Sequence, residues 1–321
     1  MRPQSVCILG GTGFLGTRLC ARLLRSGHRV TVLSRDRESH AHLRVLPELV
    51  VENCNVHDPA ELTAHLRGHD VLINLVGILN ERGFGGAGFR RAHTELTRGA
   101  LQAAISAGVG HFMQVSALGA DEDAPSHYLR SKGAAERLIR EHGTRIGWTI
   151  YQPSVIFGPG DAFLNRFAAL LEKIPLVFPL AMPGARLQPV HVDDVATALA
   201  LGVAASAPAR RTFQLGGPRV YTLREILAFV AECTGHRRLI LGLPRAASRL
   251  QALLMDFVPG RPFSSDNFRS LCVDSVCRED GLALLGIEPQ SMEGAACLYL
   301  GPAEDNARLS RLRRLAGRRA G

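Results

Sequence analysis

Lysine is almost missing from this chain. Of 38 lysines and arginines only Lys132 and Lys173 are lysines. The bias fits a high-GC bacterial coding sequence, so a lysine kept against it carries information. Aromatic residues make up 6% of the sequence, with a single tryptophan. No apolar run approaches the roughly 20 residues a membrane helix needs; the most apolar, Ile174 to Ala185, is short and broken by proline. Seven cysteines, an odd number without metal-ligand spacing, argue against a disulfide scaffold or a zinc site. They read as reduced, buried thiols of a cytoplasmic protein. Met1 to Ser5 runs directly into an apolar strand, leaving no room for a signal peptide. The net charge of +9 is unevenly distributed. Residues 304–321 hold six arginines against two acids and so supply +4 of it. The remainder lacks aromatic interleaving, so nucleic acid is not an expected partner.

What the chain does have is glycine in a particular place. Val6-Cys-Ile-Leu9 reads as a strand and is followed by Gly10-Gly-Thr-Gly-Phe-Leu-Gly16. A helical pattern then carries Leu15, Leu19 and Leu23 on one face. Strand, glycine turn and helix together form a dinucleotide-binding fingerprint. Gly10 permits the turn, Gly13 lets backbone approach a pyrophosphate, and Gly16 allows close packing. The amides of Phe14 and Leu15 face the phosphates beside Thr12. The second strand ends in Ser34-Arg35, where NAD-binding folds carry an acid for the ribose hydroxyls. Arg35 suits a 2′-phosphate instead, favouring NADP(H) over NAD(H). Asn55 and Val56 follow a third strand and should flank the adenine. Leu75, Val76 and Gly77 end an apolar fourth strand and should pass beneath the cofactor. The five glycines of Gly77 to Gly88 read as a mobile loop at the edge of the site. Alternating strands and helices predict an α/β fold with a doubly wound parallel sheet.

The chemistry-bearing residues follow the fifth strand, which delivers Ser116. Tyr128-Leu-Arg-Ser-Lys132 opens a helix behind Ser126 and puts Tyr128 and Lys132 on one face. The ammonium is expected to lower the phenol pKa, making Tyr128 an acid–base group. Lys132 is also expected to hold the nicotinamide ribose, and Ser116 to orient a substrate oxygen. A non-catalytic alternative has Lys132 clamping the cofactor and Tyr128 packing beside it. His93 reads as a packing or capping residue. Asp193-Asp194 reads as a helix cap rather than a metal pair, and no metal is expected.

The GxxGxxG turn, Val115-Ser-Ala-Leu-Gly119, the Tyr128–Lys132 pair, Gln188-Pro-Val-His-Val-Asp-Asp-Val195 and Leu215-Gly-Gly-Pro218 occur in order along the chain. With them, the chain resembles the extended, atypical short-chain dehydrogenases. This group contains the NAD(P)H-binding accessory subunit of respiratory complex I and its bacterial relatives. The resemblance implies bound NADP(H), and a segment Pro153, Ser154, Val155 and Ile156 along the nicotinamide. It leaves two functions open. One is an oxidoreductase acting on a carbonyl or alcohol of a small molecule, lipophilic or quinone-related. The other is a non-catalytic nucleotide-binding assembly or stability factor for a respiratory or ubiquinone-making complex. The short Ser116–Tyr128 spacing speaks against a nucleotide-sugar substrate.

Residues 1–155 plus 186–218 are expected to form the Rossmann domain, and 156–185 plus 219–303 a smaller substrate-side lobe. Leu250, Leu253, Leu254 and Phe257 recur at helical spacing and read first as lobe core, alternatively as a docking face. The arginine-rich end, 304–321, reads as a disordered tail or a basic segment attaching peripherally to the inner face of the inner membrane.

Overall fold

The apolar runs of the first half become parallel strands, each returned to the sheet by a helix. In the computed structural model, residues 2–36, 46, 48–81, 83–205, 208–236, 238–259 and 261–301 are described; the arginine-rich end lies outside them. Strands β1 (Ser5–Leu9), β2 (Arg29–Ser34), β3 (Leu49–Asn53), β4 (Val71–Asn74), β5 (His111–Val115) and β6 (Gly147–Pro153) enter one sheet. Short strands β7 (Ile156–Phe157), β8 (Val177–Leu180), β9 (Arg186–Leu187) and β10 (Val190–His191) follow, before β11 (Thr212–Leu215) completes the sheet. Its order is β11-β6-β5-β4-β1-β2-β3, and every pairing is parallel. Order reverses between β1 and β4, which opens a crevice at their carboxyl ends.

Helix α1 (Phe14–Arg25) turns Leu15, Leu19 and Leu23 onto one face of the sheet, beside Val195 and Leu199 of α7 (Val192–Ala204). Helix α2 (Pro59–Leu66) covers the other face with α4 (Leu96–Ala107) and α5 (His127–Glu141). A three-residue turn, α3 (Ala87–Phe89), and a π turn (Arg90–Glu95) lead into α4. Local signals explain the helix starts. Asp58 accepts from the amides of Ala60 and Glu61, and the Ser126 hydroxyl accepts from Leu129 N at 3.1 Å.

A third core joins Phe157, Leu164 and Leu171 to Phe178, Ile226 and Val230. It is built by α6 (Leu164–Lys173), the β8 strand, a short β12 (Tyr221–Thr222) antiparallel to β9, α8 (Leu223–Cys233) and β13 (Leu239–Gly242). Helices α9 (Arg245–Met255) and α10 (Ser265–Ser270) complete this side. Leu282, from the same C-terminal stretch, is instead buried in the sheet core.

Two expectations about cysteine need correction. Cys233 and Cys297 form a disulfide that ties α8 to the last helical turns, and Cys272 is exposed rather than buried. A separation of 64 residues offers no spacing signal for such a pair. The stripe read as lobe core is also reversed: α9 buries Ser248 and Ala252 and leaves Leu250, Leu253, Leu254 and Phe257 outside. Small residues let the helix sit close to the lobe on the side that hydrophobicity did not mark. No helix among the described residues is long and apolar enough to cross a membrane.

Candidate functional site

A cavity of about 1120 Å³ runs from the glycine turn, across the ends of β4, β5 and β6, into the C-terminal lobe. Its nucleotide end is made largely of backbone. Gly10 has φ +76°, and a Cβ there would meet Val76 N at 3.2 Å, so this turn requires glycine. At Gly16 a Cβ would lie 2.5 Å from the backbone of Gly11, so the helix can approach its own turn only without a side chain. At Gly13 it would meet only Gly10 O, at 3.4 Å, which leaves this position open to a ligand. No side chain caps α1, and its first turn has no acid. Those amides suit a pyrophosphate.

Thr12, Phe14 and Leu15 line the cavity with these glycines, as do Ser34, Arg35 and Val56 further out. The Ser34 hydroxyl is engaged with its own turn, donating to Asp36 O at 3.2 Å. Arg35 is exposed at the rim. Leu75, Val76 and Gly77 form the floor at the switch point, and Pro153, Ser154, Val155 and Ile156 form the opposite side. Ser154 Oγ lies 2.9 Å from Ser275 O and accepts from Gln188 N, so its hydroxyl ties the sheet to the lobe.

Asn55 departs from expectation. It is exposed and does not line the cavity. Its amide donates to Glu61 and its side chain accepts from His57 N, so the residue shapes the entry to α2. His57 takes the place on the cavity wall.

Ser116, Tyr128 and Lys132 all reach this cavity. Ser116 is 4% exposed and its Oγ has no hydrogen-bond partner. An unpaired buried hydroxyl costs about 1–3 kcal/mol, so its placement asks for a ligand. Lys132 Nζ donates to Val115 O at 3.1 Å and to Val76 O at 3.4 Å. Burial lowers its pKa to about 8, with Glu136 opposing. Tyr128 differs from expectation: burial pushes its phenol up to about 12, so it keeps its proton at neutral pH. The cause is the desolvation of the ring.

The ring of Tyr128 stands edge-on to Phe89 and His93. His93 Nε2 accepts from Ile78 N at 3.1 Å, which leaves Nδ1–H to donate to Ser131 Oγ at 2.8 Å. Ser131 in turn donates to Tyr128 O. Burial and Lys132 lower the imidazole pKa to about 2, which makes it a structural, neutral group.

One contact to this group had no sequence signal. Asp266 of α10 accepts from the amides of His127 and Tyr128, at 2.7 and 3.1 Å, across 139 and 138 residues. Deeper in, the lobe wall is apolar, with Phe163, Phe167, Leu170, Met255 and Phe263 among its side chains. Arg166 is the one charged residue this wall contributes, and it donates to Pro262 O.

The Asp193-Asp194 pair does not cap α7 as expected: His191 is the cap, its Nδ1 accepting from Asp193 N, and Asp194 is buried and accepts from Gln290 N and Nε2. Elsewhere, donor atoms of Cys54, Glu61 and His65 converge, but Glu61 holds Asn55 N and His65 pairs with Glu52.

Comparison with known proteins agrees with the geometry. Residues 10–160 match an NAD(P)H-binding family. The mitochondrial NADH dehydrogenase (ubiquinone) 1 alpha subcomplex subunit 9 of Rattus norvegicus is 30% identical over 296 residues, covering 89% of this chain and 77% of that one. The chain belongs to the family of that subunit. The Arabidopsis thaliana subunit 9 is 28% identical over 311 residues, covering 91% and 76%. The fold of this chain is shared more widely. An Escherichia coli NADPH-dependent quinone oxidoreductase complexed with NADPH superposes with a TM-score of 0.74, at 19% identity over 92% of this chain and 99% of that one. A Thermotoga maritima UDP-glucose 4-epimerase gives 0.69 at 18% identity, over 92% and 97%. This subunit 9 relative is thus an NAD(P)H-binding Rossmann protein.

Proposed function

We propose that the chain is an NADP(H)-dependent oxidoreductase that reduces the carbonyl of an apolar, quinone-like substrate. The observation that carries this reading is the unpartnered Ser116 Oγ, buried in the same cavity as Tyr128 and Lys132. NADPH supplies the hydride when bound. Ser116 donates a hydrogen bond to the substrate oxygen, and Tyr128 delivers the proton. Its burial keeps the phenol protonated at neutral pH, so it has a proton to give. Lys132 keeps two of its donors on backbone carbonyls and directs the third at the ribose hydroxyls. Arg35 pairs with the 2′-phosphate. The apolar lobe wall supports a hydrocarbon-bearing substrate, since a nucleotide diphosphate would need charged partners there.

The test is Tyr128→Phe, with NADPH oxidation followed against a short-chain quinone. Turnover is expected to fall about 10²- to 10⁴-fold while NADPH affinity is kept. Unchanged turnover removes Tyr128 from the chemistry. A second reading is favoured by the relatives, which are subunits of an NADH dehydrogenase. In it the nucleotide is structural and the chain supports the assembly of a respiratory complex. Tyr128→Phe then leaves assembly intact, and wild-type protein reduces no quinone.

A further inference from the structure

Helix α9 has two working sides. Gln251 and Met255 line the cavity, while Leu250, Leu253, Leu254 and Phe257 form an i, i+3, i+4, i+7 stripe that is exposed. Leu254 is 63% exposed and Phe257 81%. The stripe continues past the helix. Phe84, on the glycine-rich loop, stands 6.1 Å from Phe257, and Arg261 lies over the Phe84 ring at 4.7 Å. Leu79, from the same loop, is both exposed and a cavity residue. Apolar surface of this extent beside a cavity mouth is unusual for a free protein surface.

Charge selects the occupant. Helix α9 carries Arg245 and Arg249, both exposed, and no acid between residues 245 and 255. The acids on adjoining segments are turned inward. Glu81 accepts from the amides of Gly86 and Gly88, Asp256 from Ser265, and Asp266 from His127 and Tyr128. The face therefore presents leucine and phenylalanine flanked by guanidinium groups. That is the composition of a helix lying in a lipid interface, where apolar side chains enter the acyl boundary and cations meet anionic headgroups.

We propose that the outer face of α9, extended by Phe84, docks on an anionic lipid bilayer and so sets the cavity mouth against the membrane. The docking does not require turnover, so its test is independent of the oxidoreductase reading.

Full-length protein is floated with vesicles of phosphatidylcholine alone and of phosphatidylcholine with phosphatidylglycerol. Binding is expected to the anionic vesicles, weakening as salt rises from about 0.1 M to about 1 M. The variant Leu253→Ser/Leu254→Ser/Phe257→Ser is expected to lose about tenfold or more of that binding while still binding NADPH, which confirms its fold. A second variant, Phe257→Trp, places a reporter at an already exposed position. Its added fluorescence is expected to shift blue on anionic vesicles and to be quenched by brominated lipid. The proposal is overturned if wild-type protein does not float, or if the serine variant floats as wild type does, which would move attachment to the arginine-rich end. It is overturned equally if the Phe257→Trp emission ignores lipid, or if the stripe instead joins two copies of the chain in solution.

Discussion

The two halves of the cavity are built from different materials. At the nucleotide end, glycine positions and helix-start amides lie within one 12-residue span, Leu9 to Cys20. At the lobe end, the wall is assembled from side chains of α6, β8, α9 and the 262–275 segment, far apart in sequence. A backbone surface of the first kind recognises a feature common to many ligands, the pyrophosphate, and tolerates little change. A side-chain surface of the second kind can be rewritten residue by residue. The fold itself is shared with structures at 18–20% identity.

The difference can be broken most severely at Gly13. Gly13→Val fills the open side of the turn without touching the core, since its Cβ meets only Gly10 O. NADPH affinity is expected to fall about a hundredfold or more, because two charged hydrogen bonds of about 1.5–3 kcal/mol each are lost. Thermal stability should change little. Titration calorimetry checks the first and a melting curve the second; undiminished binding would mean that the phosphates lie elsewhere.

Acid is the next largest lever, and it acts on the sheet half. His93 and His111 are buried with pKa values lowered to about 2 and about 4. Their folded values lie below the unfolded value, so the unfolded chain binds more protons as pH falls. Stability is full above about 6.5; the His111 contribution is lost between there and about pH 4, and the His93 contribution goes on falling to about pH 2. The urea midpoint should drop across that window, and His111→Gln should flatten the slope. A flat wild-type profile would contradict neutral burial of both rings.

The smallest effect concerns selectivity. Arg35→Ala should cost NADPH about 1.5–3 kcal/mol and leave NADH unchanged, if the guanidinium meets the 2′-phosphate. Equal affinities of the wild type for both cofactors would end the NADP(H) preference.

The same division decides what could be read from sequence. Strands β1 to β5 were visible as apolar runs, and the glycine turn because its spacing follows from its geometry. Nineteen of the twenty site positions named from sequence line the cavity, Asn55 being the exception. It failed because strand-end position was the only guide, whereas the residue's hydrogen bonds close the turn before α2. The lobe was less legible for a different reason. Its α9 stripe has the periodicity of a core helix, but periodicity identifies a face and not what covers it. The Tyr128 pKa was misread because adjacency to Lys132 is visible in sequence and desolvation is not.

Asp266 gives the lobe a hand on the reaction centre. Its two carboxylate oxygens fasten the first amides of α5, one of them the amide of Tyr128 itself, from 138 residues away. The tyrosine is therefore held at the start of its helix by a clamp that belongs to the opposite wall. The 262–275 segment that fastens the start of α5 also lines the cavity, so on the oxidoreductase reading proposed above a substrate that reached it would touch the anchor of the residue that protonates it.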